Sequence, residues 1–175
     1  DWFTDSCLCG SNECPWDGPT AQTCWFTDYL PSFDHNHADA RAFSVDNAIW
    51  WAQTLELDGF RLDAVKHVAD QWVLDLRARL TEDVEGDDER FYLVGETFTG
   101  DPQAIAYYVG EDMLDGQFDF PLRTQIVEKV LLRQGSMSDL AGFMDANDST
   151  YWGGGTMSTF IGNHDLPRVI HYAED

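Results

Sequence analysis

The chain has 175 residues, of which 10 are Lys or Arg and 32 are Asp or Glu, so its formal net charge is −22 with His neutral. That excludes a binder of nucleic acid through a basic face, because phosphate contacts need clustered Lys and Arg. With 43% hydrophobic and 14% aromatic residues against 24% charged, the chain can bury a core and is not compositionally disordered. No apolar run approaches the roughly 20 residues that cross a bilayer, so no membrane helix is expected. The sequence opens on Asp1 without a basic-then-apolar leader, and it reads as a trimmed chain.

Residues 1 to 37 are rich in turn formers and carry no sustained period, so an irregular segment is expected there. All four cysteines, Cys7, Cys9, Cys14 and Cys24, fall inside it. A loop with little core of its own gains most from crosslinks, and the spacing lacks the paired knuckles of common zinc sites. Two disulfides in an exported protein, extracellular or periplasmic, are therefore expected. The three pairings that four cysteines allow stay open.

From Ala38 to Glu56 the spacing of Ala42, Val45, Ile49 and Trp50 predicts an amphipathic helix. Asp58 to Asp63 follows as a short strand, and Val68 to Arg79 as a second helix with Trp72, Leu76 and Leu80 on one stripe. Phe91 to Gly95 is a strand apolar on both faces, as a covered parallel sheet requires. A third strand is predicted at Gly116 to Phe120, helices at Leu122 to Arg133 and Ser138 to Ala146, and a fourth strand at Thr156 to Ile161. Alternation of this kind implies a parallel sheet with right-handed crossovers. A closed (β/α)8 barrel needs about 250 residues, so this α/β chain has room for roughly half of one.

Three of the four predicted strands end in an acid. Arg61 and Asp63 lie two apart and share a strand face. A guanidinium there keeps a carboxylate ionised, as a carboxylate nucleophile requires. Lys66 and His67 follow directly. The second strand runs into Glu96, whose apolar neighbours favour the protonated form of an acid catalyst. The last runs into Asn163, His164 and Asp165, with Arg168 close behind. Active sites of parallel α/β folds lie at the carboxy-terminal strand ends. One ionised and one protonated carboxylate across a cleft are the machinery of glycoside cleavage.

Asp58-Gly-Phe-Arg-Leu-Asp-Ala-Val-Lys-His67, Gly95-Glu96-Thr97 and Phe160-Ile-Gly-Asn-His-Asp165 resemble the second, third and fourth signature regions of the α-amylase family, in the right order. Leu30-Pro-Ser-Phe-Asp34 resembles the motif near the end of that family's loop domain. The resemblance implies residues 1–37 as the end of a loop domain and 38–175 as part of a TIM barrel, about strands 4 to 7. It implies Asp63 as nucleophile, Glu96 as general acid and then base, and Asp165 as the carboxylate that holds sugar hydroxyls. It further implies Arg61 orienting Asp63, Lys66 and His67 on the leaving-group side, and Asn163, His164 and Arg168 among the substrate contacts. The family's first signature region and eighth strand are absent. Ser32 stands where many relatives carry a calcium-binding Asp, while the resemblance still implies the His67 backbone carbonyl as a ligand to a structural calcium.

The function implied is retaining endo-hydrolysis of α-1,4-glucosidic bonds in starch, glycogen and related α-glucans. Two alternatives are a transglycosylating relative, such as a cyclodextrin-forming enzyme, and a non-catalytic amylase-like binding subunit. The second typically lacks the three acids present here. The isolated 175 residues, encoding about half a barrel, are expected to be inactive.

Overall fold

The structure is a computed structural model that describes residues 1–4, 7–87 and 89–172; residues 5 and 6, Asp88 and the last three residues lie outside the description. The chain divides into two compact units, Asp1–Tyr92 and Leu93–Asp175.

In the first unit an irregular segment leads into α1 (Ala38–Leu55), β1 (Gly59–Leu62), a single 3₁₀ turn at Val65–His67, and α2 (Asp70–Asp83). The irregular segment holds the expected two disulfides, and their pairing is Cys7 with Cys14 and Cys9 with Cys24. Helix α1 ends where Glu56 enters the left-handed region, at φ 50°, and the Leu57 amide closes the helix on the Ala52 carbonyl. Its buried stripe is Ala40, Val45, Ile49 and Ala52. The predicted stripe is corrected at two positions: Ala42 and Trp50 face solvent, as do Phe43, Trp51 and Leu55. A helix so rich in apolar residues offers more than one stripe, and periodicity alone does not choose between them.

Helices α1 and α2 are tied by polar contacts at their margins. Arg41 Nε meets Asp75 at 2.7 Å, Arg79 meets Asp46 at 2.8 Å, and Trp72 Nε1 donates to Ser44 Oγ at 3.0 Å. Beneath these lie Val73, Leu76 and Leu80, all 0% exposed. Arg77 is buried too, and its guanidinium bonds both Glu85 at 2.8 Å and the Phe91 carbonyl at 3.0 Å. Glu85 in turn accepts from the Phe91 amide at 2.9 Å. The Tyr92 amide, which opens β2 (Tyr92–Gly95), donates to Asp58 just ahead of β1. Gly59 is glycine for a reason: a Cβ there would collide with the Tyr92 carbonyl.

In the second unit β2 pairs in parallel with β3 (Gly116–Gln117), Val94 opposite Gly116 and Gly95 opposite Gln117. Short α3 (Pro102–Ala106) is capped by Asp101, and α4 (Phe120–Ile126) by Asp119. The winding loosens to a π turn over Val127–Leu131 before the chain reverses at Arg133 and Gly135, both with positive φ. Helix α5 (Met137–Asp148) opens with a Ser136–Asp139 capping box, and α6 spans Val169–Tyr172.

The third predicted strand is thus two residues long, and the fourth is not a strand. Thr156 to Ile161 makes one parallel bridge, Phe118 to Ser158, held by Asp119 N to Ser158 O at 3.1 Å and Ser158 N to Gln117 O at 2.9 Å. Three glycines precede it and Gly162 follows, so its Thr and Phe content favours extension over a stretch too short to make a ladder.

Breaking the buried Arg77 pair leaves Glu85 buried without its counter-charge. Arg77→Ala is expected to cost about 3–5 kcal/mol of unfolding free energy in urea titration. A loss below about 1 kcal/mol would show that the pair does not hold the start of β2.

Candidate active site

The first unit carries Arg61, Asp63, Lys66 and His67. Asp63 directly follows β1, and its carboxylate takes a 2.6 Å ion pair from Arg61, with both side chains substantially solvent-facing. The chain then turns sharply at Ala64, which sits in the left-handed region at φ 48° and ψ 46° and opens the Val65–His67 turn. A non-glycine residue there costs on the order of 1 kcal/mol or more. Nothing in the sequence signals that strain. Its effect is to swing Lys66 and His67 out of the strand direction. Beside Asp63 is a pocket of about 140 Å³ walled by Leu62, Val65, Val68, Trp72 and Val73. That is below the ~300 Å³ usual for ligand sites, so this pocket by itself does not enclose a sugar.

Lys66 and His67 are both gripped by the disulfide-bonded loop. The Lys66 ammonium lies 2.6 Å from Asp17 and 5.3 Å from the Trp16 ring centroid. His67 Nδ1 donates to the Ala21 carbonyl at 2.8 Å, with Cys24 Sγ 3.9 Å away. Trp16 and Phe26 meet the imidazole edge-on at 4.8 and 4.9 Å. Its Nε2 is buried without a hydrogen-bond partner. Sequence reasoning missed Trp16, Asp17 and Ala21 because they lie 46 or more residues upstream of what they hold.

The second unit carries the other candidates. Glu96 directly follows β2 and is 7% exposed, with Thr97 at 1%. Asn163, His164 and Asp165 do not end a strand as expected; they occupy a loop beyond the Ser158 bridge. There the Asp165 amide donates to Asn163 Oδ1 at 3.0 Å, and His164 Nε2 lies 3.1 Å from Asp165 Oδ2. Arg168 is exposed, and its carbonyl accepts from the His171 amide. Rings packed edge to face hold both segments to the start of α4: Phe98 meets Phe120 at 4.9 Å, and Phe160 meets Phe120 at 5.0 Å and Phe118 at 5.6 Å. Buried Arg123 adds bonds to the Ile161 carbonyl at 3.3 Å and the Tyr172 hydroxyl at 3.2 Å.

Among the described residues the one close group of three His, Cys, Asp or Glu ligand atoms is Cys9, Cys24 and His67, and both sulfurs are bridged. A hard cation such as calcium takes six to eight oxygens. The Ser32 hydroxyl donates to the Cys24 carbonyl at 2.8 Å. Neither the bridged sulfurs nor the engaged Ser32 hydroxyl supplies that set of oxygens.

A family profile described as "Alpha amylase, catalytic domain" matches residues 15–175. The chain belongs to the α-amylase family. It is 32% identical over 127 residues to an α-amylase of Streptomyces lividans, covering 68% of this chain and 13% of that protein. It is 29% identical over 178 aligned positions to α-amylase 1 of Lipomyces kononenkoae, covering 99% of this chain and 25% of that one. The crystal structure of an α-amylase from Geobacillus thermoleovorans complexed with acarbose superimposes with a TM-score of 0.83 at 26% identity, covering 99% of this chain and 37% of that one. The chain therefore spans between about an eighth and two fifths of these relatives, and its α/β content and parallel sheet fit a portion of their catalytic domain. No helix among the described residues is long and apolar enough to cross a membrane.

Burial, foremost, lowers the His67 pKa, against the raising effect of its bond to Ala21. A folded-state pKa below the unfolded value of about 6.5 means that the neutral ring stabilises the fold fully above that pH. The contribution is lost as pH falls from about 6.5 toward the folded value. NMR titration is expected to give a midpoint below 6.5 with the proton on Nδ1. His67→Gln should flatten the dependence of the urea midpoint on pH between about 7.5 and 5. A midpoint at or above 6.5 would overturn this assignment.

Proposed function

We propose that this chain is the part of a retaining endo-acting α-1,4-glucan hydrolase that supplies its three catalytic acids. Residues 1–37 belong in this reading to a loop domain, and 38–175 to about strands 4 to 7 of a (β/α)8 barrel. The observation that supports it most is the 2.6 Å Arg61–Asp63 pair at the carboxy-terminal end of β1, where the family's second signature lies. An ion-paired, solvent-facing carboxylate at that position is what nucleophilic attack on an anomeric carbon requires.

In the first step Asp63 attacks C1 of the sugar while Glu96, protonated, gives its proton to the departing glycosidic oxygen. In the second, Glu96 takes a proton from water, which attacks C1 and releases Asp63. Two inversions at C1 retain the α configuration. Glu96 is buried, with Thr97 beside it, directly after β2. Asp165, with His164 and Asn163 beside it, holds sugar hydroxyls and stabilises positive charge at the ring; Arg168 follows on the same loop. Lys66 and His67 meet the sugar on the leaving side. The substrate is starch, glycogen or a related α-glucan. Two disulfides suit an extracellular or periplasmic setting. Calcium, if held by the complete protein, would take the His67 backbone carbonyl from this chain and its carboxylates from elsewhere. It would serve a structural purpose.

In the enzyme expressed from its complete reading frame, Asp63→Asn is nearly isosteric. It should reduce starch hydrolysis at least about a thousandfold, ~4 kcal/mol of barrier, with little change in unfolding midpoint. Activity retained within about tenfold would sink the assignment of Asp63. Proton NMR of early products should show the α-anomer first, and an initial β-anomer would exclude double displacement. Cyclic products in the same digest would identify the transglycosylating alternative.

A further inference from the structure

Lys66 is one of only two lysines in the chain. Its side chain is 11% exposed, whereas that of its partner Asp17 is 76% exposed. A lysine carries a point charge on a flexible four-carbon stem, and unconstrained it samples many positions. Here consecutive residues of one loop fix it from two sides: the Asp17 carboxylate at 2.6 Å and the Trp16 ring at 5.3 Å. Trp16 also meets His67 and lies against Phe26 at 5.7 Å, and Cys14 and Cys24, which close the loop on either side, are 1% and 2% exposed.

The other loop rings are engaged elsewhere. Trp25 donates to the Thr4 carbonyl and hydroxyl, and Trp2 packs on Phe43. Trp16 is the one of these three that touches Lys66 and His67. An ordinary surface ion pair contributes little to stability, so the arrangement has small value as a fastening. It does determine where the ammonium stands.

We propose that Asp17 and Trp16 are positioning residues that fix the Lys66 ammonium for the sugar on the leaving-group side, and that they thereby set substrate affinity and cleavage position. This rests on the reading of Lys66 as a sugar contact. The disulfides are part of the device, because they hold the loop that carries both residues.

The test uses the enzyme from its complete reading frame, with maltoheptaose as substrate. Asp17→Asn keeps shape and removes charge. It should raise KM about fivefold, with a smaller change in kcat, shift the product lengths, and leave the unfolding midpoint within about a degree. Asp17→Glu should restore KM to within about twofold. Trp16→Phe, which keeps a ring, should fall between wild type and Trp16→Ala. Unchanged KM and product lengths in Asp17→Asn, or a loss of activity that merely follows a loss of stability, would overturn the proposal. Calorimetric binding of maltotriose separates this from failure of the functional reading. A wild type that binds but does not cleave refutes the hydrolase assignment, and the proposal then stands or falls on whether Asp17→Asn weakens that binding.

Discussion

The backbone of Phe91 is gripped at both its polar groups, its amide by Glu85 and its carbonyl by Arg77, and those two side chains are themselves paired and buried. This clasp matters because the strands are only four, four and two residues long. Ladders so short have few hydrogen bonds to define register, and a slip of one residue turns every side chain to the opposite face. The clasp fixes where β2 begins, and Glu96 follows five residues after Phe91. The Tyr92 amide then bonds Asp58, one residue ahead of β1 and five ahead of Asp63. Within the first unit, Asp63 thus lies at the opposite end of its strand from that ion pair.

The second unit repeats the strategy with buried acids. Asp115 accepts from the Leu93 amide at 2.7 Å, and Asp119 accepts from the Leu122 amide at 2.9 Å and from Asn147 at 2.6 Å. Gln117, 0% exposed, donates to the Ile105 carbonyl at 2.7 Å. Burial, with the nearby Asp119 charge, raises the Tyr151 hydroxyl pKa, so Tyr151 stays neutral beside that carboxylate. Asp115 thus satisfies an amide of β2, Asp119 caps the first turn of α4, and Gln117 ties β3 to α3.

What the sequence made legible follows from the range of the forces involved. β1, β2, α1 and α2 were readable because their patterns are local, and the acids after β1 and β2 stand where the pattern put them. The fourth strand was misread because Thr156 to Ile161 has strand composition but a single bridging partner, and partners are not encoded locally. Trp50 was placed inside because a Trp at helical spacing resembles core, yet Ala52 takes the buried position. The disulfide pairing and the Asp17–Lys66 contact depend on how a turn-rich loop closes, which no periodicity reports. Ala64 illustrates the same limit within the motif itself: its residue type gives no hint of its left-handed backbone.

The surplus of acid shapes recognition as well as solubility. Several of the ten basic side chains are committed to internal pairs, Arg41 to Asp75, Arg61 to Asp63, Lys66 to Asp17, Arg77 to Glu85 and Arg79 to Asp46 and Asp83. A surface with net charge −22 repels polyanions over roughly a Debye length, ~8 Å at physiological ionic strength. It exerts no such force on a neutral glucan. For the proposed substrate, steering by charge would therefore be absent, and discrimination would come at contact from hydrogen-bond geometry and ring faces. Under that condition the placement of a single ammonium carries more weight than the field of the whole molecule. In the proposed reading, this is how a loop that holds Lys66 between a carboxylate and an indole would affect substrate more than its modest contribution to stability suggests.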